Sequence, residues 1–215
     1  MINTAPVETE LVDTGLANSR LINTRRRALA SLLVTGVVAG ATAGRWGDAF
    51  AIDYLTPDKA QALLLPSATS FVQRGFKLSA DQLAAVAKIG RVSSRSADWK
   101  VALGLDAQNN VVGAVVIDNV IGKYEMITYA VASDIAGVIK GIEILSYRES
   151  HGGEIRLPSW RKQFVGKTNK EPIQVGDDIA LISGATLSSV NVTDGVRRIS
   201  AVLDVLRDSW IKKAG

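Results

Sequence analysis

The apolar positions change period twice along the chain, from helical to alternating and back to helical. Thr56, Pro57 and Asp58 open a short helix: a capping hydroxyl, a proline at the first helical position and an acid at the positive helix end. Pro66 closes it. A second helix begins at Ser79, which forms a capping box with Gln82 while Leu78 and Leu83 supply a hydrophobic staple, and Gly90 gives the stop after Ile89. From Trp99 the pattern turns to strands over Lys100–Leu105, Val111–Ile117, Tyr124–Ala132 and Val138–Tyr147. The connections are short and rich in Asn, Asp and Gly, as at Asp106–Asn110, which predicts an antiparallel meander.

Residues 150–178 show little periodicity and contain His151, Gly152, Gly153, Trp160 and Phe164; irregular stretches of this length in a compact domain are often functional. The chain then ends in a helical pattern. Val192, Val196, Ile199, Leu203, Leu206 and Trp210 form one apolar stripe, predicting a single long helix laid on the sheet. Arg197 and Arg198, off that stripe, read as a solvated helix face. The predicted fold class is α+β, an antiparallel β-sheet backed by helices with a long C-terminal helix.

The N-terminal part reads as a targeting leader. Arg25, Arg26 and Arg27 directly precede an uncharged run, Ala28 to Gly44, whose Ala, Gly and Thr content is weak for a stable membrane span and suits a secretory core segment. Thr24 to Leu29 resembles a twin-arginine export signal, and Ala49, Phe50 and Ala51 offer a small-x-small cleavage site. Residues 1–51 are therefore expected to be a leader, cleaved as a signal peptide or kept as a single anchor through residues 28–44. Residues 52–215 would form the working domain on the extracytoplasmic, periplasmic side.

Composition narrows the chemistry. The chain has no cysteine and a single histidine, His151, so iron–sulfur clusters, thiol catalysis and multi-histidine metal sites have no ligands, and no metal site is expected. Redox chemistry would need an organic cofactor. The net charge of +4 is scattered apart from Arg25–Arg27, which speaks against a nucleic-acid partner.

One segment concentrates candidate chemistry. Leu181, Ile182, Ser183, Gly184, Ala185, Thr186, Leu187, Ser188 and Ser189 run a hydrophobic strand end into small residues and then into hydroxyls at the start of the long helix. Free N–H groups at a helix start attract an anion, and Gly184 and Ala185 leave room for one against the main chain. Taken alone, these residues are more simply explained as helix caps, a role Ser183, Thr186 or Ser188 could each fill.

Ser183 to Thr186, with Leu187 and Ser188, resembles the Ser-Gly-Ala-Thr-x-Ser/Thr signature of the FMN-binding domain family, whose members include components of the sodium-translocating NADH:quinone reductase and of the Rnf electron-transport complex. Gly122 to Tyr147 is similar to that family's paired strands. Tyr147 to Gly153 takes the place of its Glu-containing, glycine-rich turn, and Trp160, Gln163, Phe164 and Gly166 match the segment that follows. The resemblance spans roughly residues 95–205. It implies FMN joined through its phosphate to the Thr186 hydroxyl by a dedicated flavin transferase outside the cytoplasm, with Ser183, Gly184, Ala185, Leu187 and Ser188 around the attachment point. It also makes Glu149 and His151 candidates for orienting the flavin or exchanging protons, and Trp160 a candidate for covering its ring.

These readings predict an electron relay served by membrane or extracytoplasmic redox partners, a carrier more than a stand-alone enzyme. A cofactor-free binding or assembly domain and a flavin-dependent reductase using Glu149 or His151 as proton donor are the alternatives.

Overall fold

The computed structural model describes residues 54–212. The expected leader, with Arg25–Arg27, the run 28–44 and the cleavage site 49–51, lies outside them.

Helix α1 (Pro57–Leu64) is capped by Thr56, whose side chain accepts the Lys59 N–H. Strand β1 (Ser70–Lys77) follows, then helix α2 (Ala80–Gly90), with the Ser79–Gln82 capping box closed in both directions. Strands β2 (Asp98–Leu105), β3 (Val111–Ile121), β4 (Met126–Asp134) and β5 (Ile139–Ser146) complete a five-stranded sheet in the order β1-β2-β3-β4-β5, with every neighbouring pair antiparallel. The turn after β2 is held by Asp106, which accepts the N–H groups of Gln108 and Asn110 at 2.9 and 2.8 Å. Beyond β5 come the short helix α3 (Pro158–Arg161), the long helix α4 (Thr186–Val205) and helix α5 (Arg207–Ile211).

Both faces of the sheet are covered, so its central strands are almost wholly apolar. On one face Val101, Leu103, Val116, Tyr129 and Ile142 pack against Val192, Val196, Ile199 and Leu203 of α4 and Val86 of α2. On the other, Ala102, Val115, Ala130 and Leu145 pack against Ala60 and Leu64 of α1. The small side chains on this second face let α1 lie close. Gly90 serves a similar purpose between helices: a Cβ there would stand 3.0 Å from the Ala201 Cβ, so α2 ends where it touches α4, and Arg91 takes the left-handed cap at φ 50°.

Three expectations need correction. The sequence pattern predicts no element at β1, because only Phe76 of its residues is buried; it is an edge strand whose exposed Gln73, Arg74 and Lys77 hide the alternation and protect the edge. The C-terminal helix is not continuous. It breaks at Leu206, where the buried Trp210 indole donates to the Leu203 carbonyl at 2.9 Å, an acceptor that a continuing helix would pair with a backbone N–H. Nor are Arg197 and Arg198 solvated. Arg198 donates to the Ser93 carbonyl at 3.0 Å and lies 3.7 Å from the Asp118 carboxylate, to which the buried Tyr129 hydroxyl also donates, while Arg197 pairs with Asp194 at 2.7 Å.

The irregular stretch is organised by Asp178. Its carboxylate pairs with the Lys167 ammonium at 2.8 Å and accepts the N–H groups of Ile173 and Gln174 at 3.1 and 2.8 Å, holding buried Ile173 at φ 43°. Partial burial works against the charge, but Lys167 and the two N–H groups outweigh it and keep the carboxyl below its ordinary value. A lowered value adds stability above the unfolded-state pKa and loses it as pH falls through the folded-state one. Asp178→Asn is therefore expected to cost roughly 1–3 kcal/mol at neutral pH. In urea titrations across acid pH the gap from wild type should close as the wild-type carboxyl protonates.

Candidate functional site

Three segments meet around one cavity of about 420 Å³, lined by Lys123, Tyr124, Glu149, Ser150, His151, Gly184, Ala185, Thr186, Leu187 and Ser188. They are the tip of the β3–β4 hairpin, the turn after β5 and the start of α4. The volume lies within the roughly 300–1,000 Å³ usual for small-molecule sites.

The start of α4 has the chemistry of an anion site. Ala185 occupies the cap position and no side chain caps the helix, so Ser183, Thr186 and Ser188 are not the plain caps that their residue types alone suggest. The first helical bond runs from the Ser189 N–H to the Ala185 carbonyl at 2.9 Å, which leaves the N–H groups of Thr186, Leu187 and Ser188 at the open end of a 20-residue helix. Ser189 locks the approach to it. Its hydroxyl accepts the Ile182 N–H at 3.3 Å and donates to the Ala185 carbonyl at 3.0 Å. Gly184, at φ 77°, makes the left-handed turn that swings the chain into the helix, and the Thr186 side chain emerges exposed at the first helical position.

The turn after β5 is pressed against this helix start. Gly152 has φ 83°, and a Cβ there would overlap the Ala185 Cβ and stand 2.7 Å from the Tyr147 hydroxyl. Tyr147 ties the two together: its buried hydroxyl donates to the His151 carbonyl in a short bond and lies 3.4 Å from the Ser188 Oγ. Burial, the largest influence, pushes the Tyr147 phenol above its ordinary value despite the bond to Ser188, so it stays a protonated donor at neutral pH.

Glu149 is poorly suited to the role of proton donor. Its Oε1 accepts the N–H groups of Tyr124 and Glu125 at 2.6 and 3.0 Å. Burial raises its pKa, yet the backbone N–H groups of Glu125, Tyr124 and Lys123 and the Lys123 charge prevail and hold the carboxyl below its ordinary value. A carboxylate so held is an acceptor at neutral pH. His151 is exposed at the cavity, with its Nδ1 2.9 Å from the Ser150 hydroxyl.

Of the residues singled out from the sequence, the structure gathers Gly184, Ala185, Thr186, Leu187, Ser188, Glu149 and His151 around the cavity. Ser183 is exposed but does not line it. Trp160 lies elsewhere: it is 5% exposed, its indole donates to the Ala180 carbonyl at 2.8 Å and its ring stands edge-on to Phe164 at 5.1 Å. It is a core side chain. Lys123 and Tyr124 line the cavity although the sequence pattern puts Tyr124 at the start of a strand; the strand begins at Met126, and Tyr124 sits in the turn with the Lys123 ammonium 4.8 Å from its ring centre. The signal that could have found it is an aromatic residue in a polar hairpin tip, where it is 71% exposed.

Among the described residues no group of His, Asp or Glu could hold a metal ion, and no helix is long and apolar enough to cross a membrane. Residues 122–201 match the FMN-binding domain family. A similar solved structure is that of NqrC from Shewanella oneidensis, with a TM-score of 0.49 and 18% identity over 71% of this chain and 96% of that one. No curated protein matches the chain. The matched segment contains every residue that lines the cavity, so the similarity of residues 122–201 to the FMN-binding domain family falls on the site itself.

Proposed function

We propose that the chain is a flavoprotein that relays electrons through FMN esterified by its phosphate to the Thr186 hydroxyl. The observation that carries this reading is the exposed Thr186 hydroxyl at the uncapped start of α4, on the edge of a cavity large enough for a ligand. A phosphodiester there keeps one negative charge, which the helix start stabilises by about 0.3–1 kcal/mol and more where it is partly buried. When bound, the flavin supplies reversible one- and two-electron transfer.

The residues of the chain do the rest. The N–H groups of the first turn of α4 face the phosphate, Gly184 and Ala185 admit it to the main chain, and Tyr124 and Leu187 offer exposed apolar surface to a ring. Glu149, bonded to backbone N–H groups, is poorly placed to donate protons, which favours a carrier over a reductase that uses it as an acid. The protein works on the extracytoplasmic side, exported through residues 1–51 or anchored by 28–44, where a flavin transferase loads it and redox proteins of the membrane or periplasm exchange electrons with it. N-terminal sequencing of the mature chain decides between cleavage and anchoring.

The test is covalent retention. Protein made together with its flavin transferase is denatured, run on a gel and illuminated. A fluorescent band whose flavin maps to the peptide containing Thr186 supports the reading, and a dark band from transferase-competent cells sinks it.

A further inference from the structure

The turn between β3 and β4 is built around a side chain from another part of the chain. Gly122 and Glu125 close the turn through the Gly122 N–H to the Glu125 carbonyl at 2.8 Å, and the Glu149 carboxylate reaches in from the β5 side to take the Tyr124 and Glu125 N–H groups. Room for that carboxylate exists because residue 122 is glycine: a Cβ there would overlap the Glu149 Oε1 and stand 3.0 Å from its Cγ. Tyr124 itself is 71% exposed, so burial does little to fix its ring. What holds it on the rim of the cavity, which the exposed Leu187 also lines, is the backbone anchor beneath it.

We propose that Glu149 is a positioning residue, whose carboxylate staples the β3–β4 turn so that the Tyr124 ring forms, with Leu187, the wall against which a planar flavin ring rests. This rests on the flavin reading for the ligand, while the staple is a property of the protein alone. The Gly122 and Glu149 pair is thus a built device: an acceptor with two N–H partners, and a glycine that makes space for it. Tyr124 contributes the contact and Glu149 acts through it.

Two variants separate positioning from acid–base chemistry. Glu149→Gln keeps an amide oxygen able to accept both N–H groups, and Glu149→Ala removes the acceptor. Hydrogen exchange on full-length chain made without the transferase reads the staple without any flavin: the Tyr124 and Glu125 amides should exchange about tenfold or more faster in Glu149→Ala and close to wild type in Glu149→Gln. On flavin-loaded protein, Glu149→Ala and Tyr124→Leu should each brighten the native flavin fluorescence, because an aromatic wall quenches it. Glu149→Gln should stay dim, and the double variant Glu149→Ala, Tyr124→Leu should be no brighter than Tyr124→Leu alone.

Unchanged amide exchange in Glu149→Ala overturns the staple. Faster exchange with unchanged flavin fluorescence overturns the wall. A Glu149→Gln protein that restores the amides yet matches Glu149→Ala in flavin fluorescence assigns Glu149 a charge or proton role and overturns positioning. A wild type that carries no flavin refutes the proposed function and the wall with it, while the exchange result still decides the staple.

Discussion

Thr186→Ala is expected to yield a folded protein without covalent flavin. The side chain is exposed at the first helical position of α4 and no side chain there caps the helix, so its removal breaks no packed contact. Alanine is also the better helix former, by up to about 0.7 kcal/mol, and the net change in stability should stay within about 0.5 kcal/mol. No other hydroxyl at the helix start can stand in. Ser188 is 3% exposed and lies against Tyr147, Ser189 is buried and bonded to Ala185 and Ile182, and Ser183 lies off the cavity. A thermal melt matching wild type together with a dark denatured band is the expected pair of results. A fluorescent band from the variant would move the attachment elsewhere and remove the basis for Thr186.

Gly152→Ala should have the largest effect on the fold of the site. The residue sits at φ 83°, which costs an L-residue roughly 1–2 kcal/mol. Its new methyl would overlap the Ala185 Cβ and crowd the Ala185 Cα at 3.3 Å, a backbone atom that cannot swing aside. Such overpacking costs typically 1–3 kcal/mol, so the sum is about 2–5 kcal/mol. The turn would lift away from the helix start, taking the His151 carbonyl from Tyr147 and widening the cavity. Gly166→Ala isolates the backbone contribution: φ is 84° there, but nothing lies within 4 Å of the added methyl. Denaturant midpoints should fall clearly further for Gly152→Ala than for Gly166→Ala, and flavin loading should drop in the former alone. Equal midpoints would mean that the close approach of turn to helix carries no energy.

Both effects turn on one helix start, which is visible in the sequence. The run from Leu181 to Ser189 is local: small residues, hydroxyls and the onset of a 3.6-residue period occupy neighbouring positions, so a reader of the chain sees a helix N-terminus without knowing the fold. The capping box at Ser79 and Gln82, the turn at Asp106 and four of the five strands are local in the same sense. Strand β1 is hidden because an edge strand owes its existence to a partner. Its residues are mostly exposed, and what fixes them is the register Ser70–Lys77 against Leu105–Asp98.

The site residues divide along the same line. Thr186, Gly184 and Leu187 belong to one stretch of chain, which by its residue types alone reads as a helix start and which the family resemblance marks as a candidate site. Tyr124 and Lys123 reach the cavity only because the hairpin folds over a carboxylate that lies 25 positions on from Tyr124 in the chain, a pairing that no periodicity encodes. Glu149 stands out in the sequence as a group to act on a ligand, whereas its partners in the fold are backbone N–H groups of the β3–β4 turn. Trp160 stands out for its aromatic face, and the fold turns that side chain toward Phe164.

By itself the sequence determined most of the local elements, the α+β class and the absence of thiols, since each depends on composition or on neighbours within a turn or two of chain; Thr186 entered as an attachment candidate only through the family resemblance. Only the tertiary structure decided the uncapped state of α4, the placement of Tyr124, the acceptor role of Glu149 and the burial of Trp160, Arg197 and Arg198. Those depend on which distant atoms meet, and a hydrogen bond or a packed face is settled by the partner that arrives.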